Sequence, residues 1–234
     1  MDKQNQNWII EASGLTRIHQ RGATEVVGLI GIDLRIAPAE MIVLKGNSGS
    51  GKSTLLALLG GLDKPTSGLL QVAGVDLAAV PTEQLTAYRR HVVGMIFQAF
   101  NLMPTLTVLE NVCLPALLAG AGQAEIRSRA EELLNWLEMG KRLDHFPAQL
   151  SGGEMQRTAI ARALINHPAI ILADEPTGNL DSRNGEAVIR LLVDMNREMK
   201  RTLVIATHSE IADPFADRQF CLKDGRIYKG SCEP

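Results

Sequence analysis

The sequence predicts an α/β fold in which a mostly parallel sheet is wrapped by helices on both faces. Three observations predict it. Apolar strand-like runs alternate with helical patterns along the chain, the order that builds parallel sheets. A Gly/Ser-rich loop, Gly46-Asn47-Ser48-Gly49-Ser50-Gly51-Lys52-Ser53-Thr54, stands between the apolar run Met41 to Leu44 and the helix-forming run Leu55 to Leu59. Ile170-Ile171-Leu172-Ala173 is a short continuous apolar run, the texture of a strand buried on both faces, and it ends in Asp174-Glu175.

Taken in order, Trp8 to Ala12, Val26 to Ile36, Met41 to Lys45 and Gly68 to Val72 read as strands, with a helix after the glycine-rich loop. Val92 to Phe97 is a further β-branched run. Between it and Ile170 the texture turns helical: residues 124–138 carry Ile126, Ala130, Leu133, Leu134 and Leu137 on one face, a stripe better suited to core packing than to binding. A helix from Ser182 to Met199, a strand from Leu203 to Ala206 and a final pair near Phe220 and Ile227 around Asp224-Gly225 complete the pattern. No repeat, low-complexity tract or long linker interrupts it, and no further domain is expected.

Bulk composition narrows the classes. At 234 residues and 45% hydrophobic content the chain can bury a substantial core. Its 24 basic and 26 acidic residues, net −2, leave no footprint for nucleic acid or anionic lipid. No apolar run approaches the roughly 20 residues that cross a bilayer, and the first residues lack the pattern of a signal peptide. Cys113, Cys221 and Cys232 are odd in number and widely spaced, which predicts reduced bystanders.

The loop at 46–54 satisfies the P-loop pattern, two glycines, a lysine and a hydroxyl at fixed spacing in a strand–loop–helix context. Its glycines let backbone N–H groups converge on phosphate oxygens, and the helix adds the positive end of its dipole. Lys52 then supplies charge to the outer phosphates and Ser53 a hydroxyl to Mg²⁺. Open α/β sheets bind ligands at the C-terminal edge of their strands. That edge makes Asp174 a candidate for the metal shell and Glu175, beyond it, a candidate base for the attacking water. Either carboxylate alone would more simply cap the next turn; behind a P-loop the pair carries weight.

Residues 150–157 read LSGGEMQR, and Ser151 with Glu154 forms the S-x-x-E capping box of a helix start. A cap alone gains nothing from Gly152-Gly153, which cost about 1 kcal/mol each inside a helix relative to alanine. Two glycines beside a hydroxyl at a helix N-terminus expose N–H groups to an anion. Since the P-loop already serves the chain's own phosphates, this second site suggests a nucleotide held by another copy across a symmetric interface.

The P-loop, LSGGEMQR and the Asp174-Glu175 strand end occur in the order and approximate spacing of the ATPase subunit of an ABC transporter, which the chain resembles over essentially its whole length. The resemblance implies a P-loop NTPase fold with an N-terminal antiparallel β part and an inserted helical subdomain. Its implied boundaries are 1–97 and 167–234 for the nucleotide-binding core and 98–166 for the subdomain. Gln98 falls where the family's Q-loop glutamine joins the metal site, Asp181 in Asn179-Leu180-Asp181 matches the D-loop aspartate, and His208 after Thr207 matches the switch histidine at the terminal phosphate. Leu58 to Gly68, Pro104 to Leu118 and Leu172 to Gly185 are similar to the group of lipoprotein-releasing and macrolide-exporter ATPases.

The resemblance further implies ATP and Mg²⁺ as cofactors, with Ser53, Gln98 and Asp174 around the metal. It implies a homodimer on ATP binding, an integral membrane permease, a periplasmic adaptor reached through it, and a place on the cytoplasmic side of the inner membrane. Export and a signalling role toward cell-wall enzymes use the same closing motion and stay open at this level. Two positions depart from the pattern. His19 stands near where many relatives place an aromatic residue on adenine, and Lys45 replaces the usual apolar residue before the first P-loop glycine.

Overall fold

The structure, a computed structural model, describes residues 8–22 and 24–228. The chain begins β1 (Ile10–Arg21), β2 (Thr24–Ile36), β3 (Met41–Lys45), α1 (Lys52–Leu59), β4 (Ser67–Val72), β5 (Val75–Asp76), α2 (Thr82–His91) and β6 (Val93–Phe97). Three helices follow, α3 (Val108–Leu118), α4 (Gln123–Trp136) and α5 (Gly152–Leu164). The chain then returns through β7 (Ile170–Asp174), α6 (Ser182–Met199), β8 (Thr202–Ala206), β9 (Arg218–Lys223) and β10 (Arg226–Tyr228). Short 3-10 turns lie at Pro147–Gln149 and Asp213–Phe215.

Two sheets result. A four-stranded antiparallel sheet has the order β2-β1-β4-β5, and a six-stranded sheet the order β10-β9-β3-β8-β7-β6, parallel except for its last hairpin. The parallel strands alternate between two cores, as strands covered on both faces must. Met41, Val43, Ile171, Ala173, Leu203 and Ile205 face one core with residues of α3 to α6. Ile42, Leu44, Ile170, Leu172, Val204 and Ala206 face the other, shared with α1, α2 and the antiparallel sheet.

The strand expected at Trp8 to Ala12 runs on to Arg21. Register shifts between Ala12 and Leu15, Leu15 and Arg17, and Arg17 and Ile18 interrupt its alternation, so the second half carries no period-2 signal. Helix α2 also escapes a reading from periodicity, because it buries only Leu85 and Tyr88. The expected stripe on α4 is buried as core: Ile126, Ala130, Leu133 and Leu134. One expectation is corrected. Cys113 is a free thiol, but Cys221 is disulfide-bonded and not a reduced bystander, since sequence separation does not measure the distance between thiols in a folded chain. Cys232 lies outside the described residues.

Helix α5 approaches the parallel sheet closely through Gly94 on β6. A Cβ there would overlap the Ala163 carbonyl and come within 2.7 Å of Ile171 Cδ1. Only a glycine lets α5 seat against β6, and that seating fixes where its N-terminus projects.

Candidate nucleotide site

The hydrogen-bond ladder aligns four strand ends in one row. Phe97 pairs with Asp174, Asp174 with Ala206, and Ala206 with Leu44. The residues that leave the sheet beyond this row are Gln98, Glu175, Thr207-His208 and Lys45-Gly46, so register alone gathers side chains from four distant parts of the sequence. Two backbone bonds extend the row past the ladder: Glu175 N–H donates to the Ala206 carbonyl at 2.8 Å, and Thr207 N–H to the Leu44 carbonyl at 3.1 Å.

The P-loop curls between β3 and α1. Gly51 caps α1 at φ +107°, in the left-handed region, and a Cβ on it would stand 2.7 Å from the Gly28 carbonyl. Gly225, in the turn between β9 and β10, donates its N–H to the Ser50 carbonyl at 3.0 Å and holds the loop from the other side. Lys52 is buried at the loop's mouth. Its Nζ donates to the Gly46 carbonyl at 2.7 Å and lies 3.9 Å from Glu175 Oε1.

A cleft of about 660 Å³ is lined by Asn47 to Thr54, Gln98, Glu175 and His208, with His19, Val26, Val27 and Gly28 closing its outer end. Val26 and Val27 are exposed apolar residues there, and His19 Nδ1 lies 4.0 Å from Asp63 Oδ2. His19 therefore sits where a base could stack, beside two valines. Gly46 is next to the lining, at the end of β3.

At the strand-end row, Ser53 Oγ donates to Asp174 Oδ1 at 3.2 Å. Burial raises the Asp174 carboxyl above its ordinary value, the Glu175 charge adds to this, and the Ser53 hydrogen bond and Lys52 oppose it. A hydroxyl and a carboxylate side by side are hard oxygen donors, the set Mg²⁺ prefers alongside substrate phosphates. Glu175 points its other oxygen to His208, whose Nδ1 is 3.0 Å from Glu175 Oε2. Gln98 turns toward the loop after β7: Asn179 Nδ2 donates to the Gln98 carbonyl at 2.9 Å, and Gln98 Nε2 lies 3.5 Å from Asn179 Oδ1.

Ser151, Gly152 and Gly153 are not part of this cleft's lining. Ser151 caps α5 in a complete capping box, its Oγ accepting from Glu154 N–H at 3.3 Å while Glu154 Oε2 accepts from Ser151 N–H at 2.8 Å. The Ser151 backbone hydrogen bond holds the Glu154 carboxyl down to about 2, with Arg142 Nε donating to its other oxygen at 2.8 Å. Asp181 caps α6 through its side chain alone, accepting from Asn184 N–H at 2.9 Å, and the position of Gly152 adjoins Leu180 beside it. The two helix starts, with Ser151 and Asp181 exposed and Gly153 buried, are neighbours outside the cleft that the P-loop of their own chain lines.

Two side chains that the sequence does not flag organise this region. Arg162 on α5 donates to the carbonyls of Phe100, at 2.7 Å, and Asn101. Those two residues follow Gln98 and both have positive φ, 59° and 51°. Asn179 is the second, through its bonds to Gln98. Neither is visible in a sequence because each acts on groups that only the fold brings near.

A P-loop at the edge of a parallel sheet, with a carboxylate on its hydroxyl, defines a nucleoside-triphosphate-binding protein. Comparison sharpens the class. The ABC transporter family profile matches residues 29–178. The chain is 43% identical over 214 residues to the lipoprotein-releasing system ATP-binding protein LolD of Bacteroides fragilis, covering 90% of this chain and 99% of that one. It is 46% identical over 219 residues to the macrolide export ATP-binding/permease protein MacB of Marinobacter nauticus, covering 94% of this chain but 34% of that longer protein. The chain thus spans about a third of MacB. The dimeric post-hydrolysis structure of the ATP-binding cassette MJ0796, bound to ADP and Pi, superposes with a TM-score of 0.87 at 40% identity, over 96% of this chain and 99% of that one. The chain belongs to the ABC transporter family.

Proposed function

We propose that the chain is the ATP-driven engine of a membrane extrusion system, working as a homodimer in which each nucleotide is shared between two copies. The observation that carries this is the separation within one chain. The P-loop, Gln98, Glu175 and His208 line one cleft, whereas the start of α5 and Asp181 lie outside it. A helix start with free amides suits a phosphate, and a twofold axis would bring a second copy's phosphate to it. The MJ0796 cassette is itself dimeric, which supports the pairing of two copies.

In this reading residues 1–97 and 167–234 form the nucleotide-binding core and 98–166 a helical subdomain that carries the start of α5. The P-loop amides and Lys52 hold the phosphates, and His19 lies against the base. Ser53 and Asp174, with Gln98, would hold Mg²⁺, which when bound neutralises phosphate charge. Glu175 orients the attacking water, while His208 and Lys52 stabilise charge on the transferred phosphoryl group. Cleavage of the outer phosphate leaves two like-charged products, so the closed dimer loses its bridge and opens. Ser151, Gly152 and Gly153 of one copy meet the terminal phosphate of the other, with Asp181 at the seam.

No helix among the described residues is long and apolar enough to cross a membrane. A permease would read the motion at Gln98 and residues 99–105, where Met103 is exposed, and pass it to a periplasmic adaptor, leaving the ATPase peripheral on the cytoplasmic side. The likeness to LolD and MacB supports lipoproteins, peptides or drugs as the class extruded. Gly152→Asp tests the shared site: nucleotide binding by the monomer is expected to survive while hydrolysis is abolished. Retained hydrolysis would sink the shared-site reading.

A further inference from the structure

Lys45 is the residue of β3 that its neighbours do not explain. All five residues of the strand are buried. Four are apolar and divide between the two cores, whereas an ammonium in the fifth position loses its hydration on folding. Here Nζ lies 2.7 Å from Asp213 Oδ1 and donates to the Ser209 carbonyl at 2.6 Å. Both partners belong to the stretch after β8 that carries His208.

That stretch has left the sheet. The β3–β8 ladder ends at Leu44 opposite Ala206, and after the Thr207 N–H bond to Leu44 the backbone does not tie back to β3 until Asp217 N–H reaches the Met41 carbonyl at 2.9 Å. The His208 side chain is 74% exposed, so packing does not fix its ring. Its place depends on the backbone of 207–209 and on Glu175. Ser209 N–H donates to Thr207 Oγ1 at 3.0 Å and Ile211 N–H to Ser209 Oγ at 3.4 Å, bonds within the turn, while His208 N–H reaches Glu175 Oε2 at 3.4 Å and Ile211 and Ala212 pack on the core further on. Lys45 anchors the turn between them, at Ser209. The ammonium joins the turn to the strand that feeds directly into the P-loop, and the Asp213 carboxylate keeps the ammonium aimed.

We propose that Lys45, aimed by Asp213, is a positioning residue for hydrolysis, clamping the Ser209 carbonyl so that His208 stays in register with Glu175 and the P-loop. The proposal rests on the reading of His208 as a group at the terminal phosphate. Lys45 itself touches neither nucleotide nor water in it. Asp213 acts one step further out.

Steady-state ATP hydrolysis by the full chain, with Lys45→Met, Asp213→Asn and His208→Ala alone and combined, tests it. Lys45→Met is expected to lower kcat roughly tenfold or more while leaving KM for ATP unchanged, because small misplacements of a reacting group cost one to two orders in rate. Asp213→Asn, at a part-exposed position, keeps the side chain's shape while removing its charge and should shift kcat in the same direction. In the His208→Ala background Lys45→Met should cost less than about twofold, since residues acting as one unit are not additive. Equal losses in both backgrounds, an unchanged kcat, or a raised KM with kcat unchanged would each overturn the clamp. Wild-type kcat in His208→Ala alone would instead remove the reading of His208, and the clamp with it.

Discussion

Glu175 stands at φ +45°, a left-handed conformation that costs a non-glycine residue about 1–3 kcal/mol. Its N–H bond to Ala206 and its contact with His208 hold it there, facing the P-loop lysine. Glu175→Gln keeps the shape and removes the base, so ATP binding should persist while turnover falls about 10²-fold or more. Single-turnover hydrolysis measures this, and near-normal turnover would remove Glu175 as the base. Glu154 provides a pH test. Its folded value near 2 lies below its ordinary 4.5, so the stability it adds is present above about pH 4.5 and is lost as pH falls toward 2. Thermal unfolding of Glu154→Gln should accordingly show a flatter dependence across that window than the parent chain. At this scale the site was largely legible. Lys52, Ser53, Asp174, Glu175 and His208 come together in space, a placement that P-loop spacing and strand-end position signal locally. Arg162 and Asn179 were not legible, and Lys45 acquired a partner only when folding brought Asp213 to it.

Helix α5 shows how an element carries a site. Its start is set by the Ser151 and Glu154 capping box, which the sequence displays, but its seat is set by Gly94 on a strand some sixty residues earlier. Gly94→Ala would press a methyl group into the Ala163 carbonyl, a backbone atom that cannot rotate away. The expected loss is about 3 kcal/mol, read as a lowered midpoint in urea, with hydrolysis reduced because the start of α5 shifts. A change within about 0.5 kcal/mol would show that α5 is not held by that contact. Elements with plain signals, the continuous apolar runs of β3 and β7 and the periodic stripe of α6, are legible to within a residue. β1 and α2 are not: bulges erase the alternation of one, and a two-residue buried face is too narrow a stripe in the other.

At the scale of the molecule, sharing of each nucleotide between copies predicts complementation. Lys52→Ala chains lack a working P-loop and Gly152→Asp chains a working α5 start. In a mixed dimer one site holds both defects and the other holds neither. Each chain alone should be inactive, while an equimolar mixture should recover up to about a quarter of parental ATPase activity, from random pairing of copies about a twofold axis. No recovery would argue for sites complete within one chain. The row of strand ends has one more consequence. Each proposed reacting group from the sheet hangs just beyond a ladder that is itself buried in two cores, so the part of the chain that decides stability and the part that decides rate are adjacent yet separable. Loop positions that hold none of the reacting or positioning groups, such as 102–105, can change and retune coupling, while the strands behind them keep the fold unchanged.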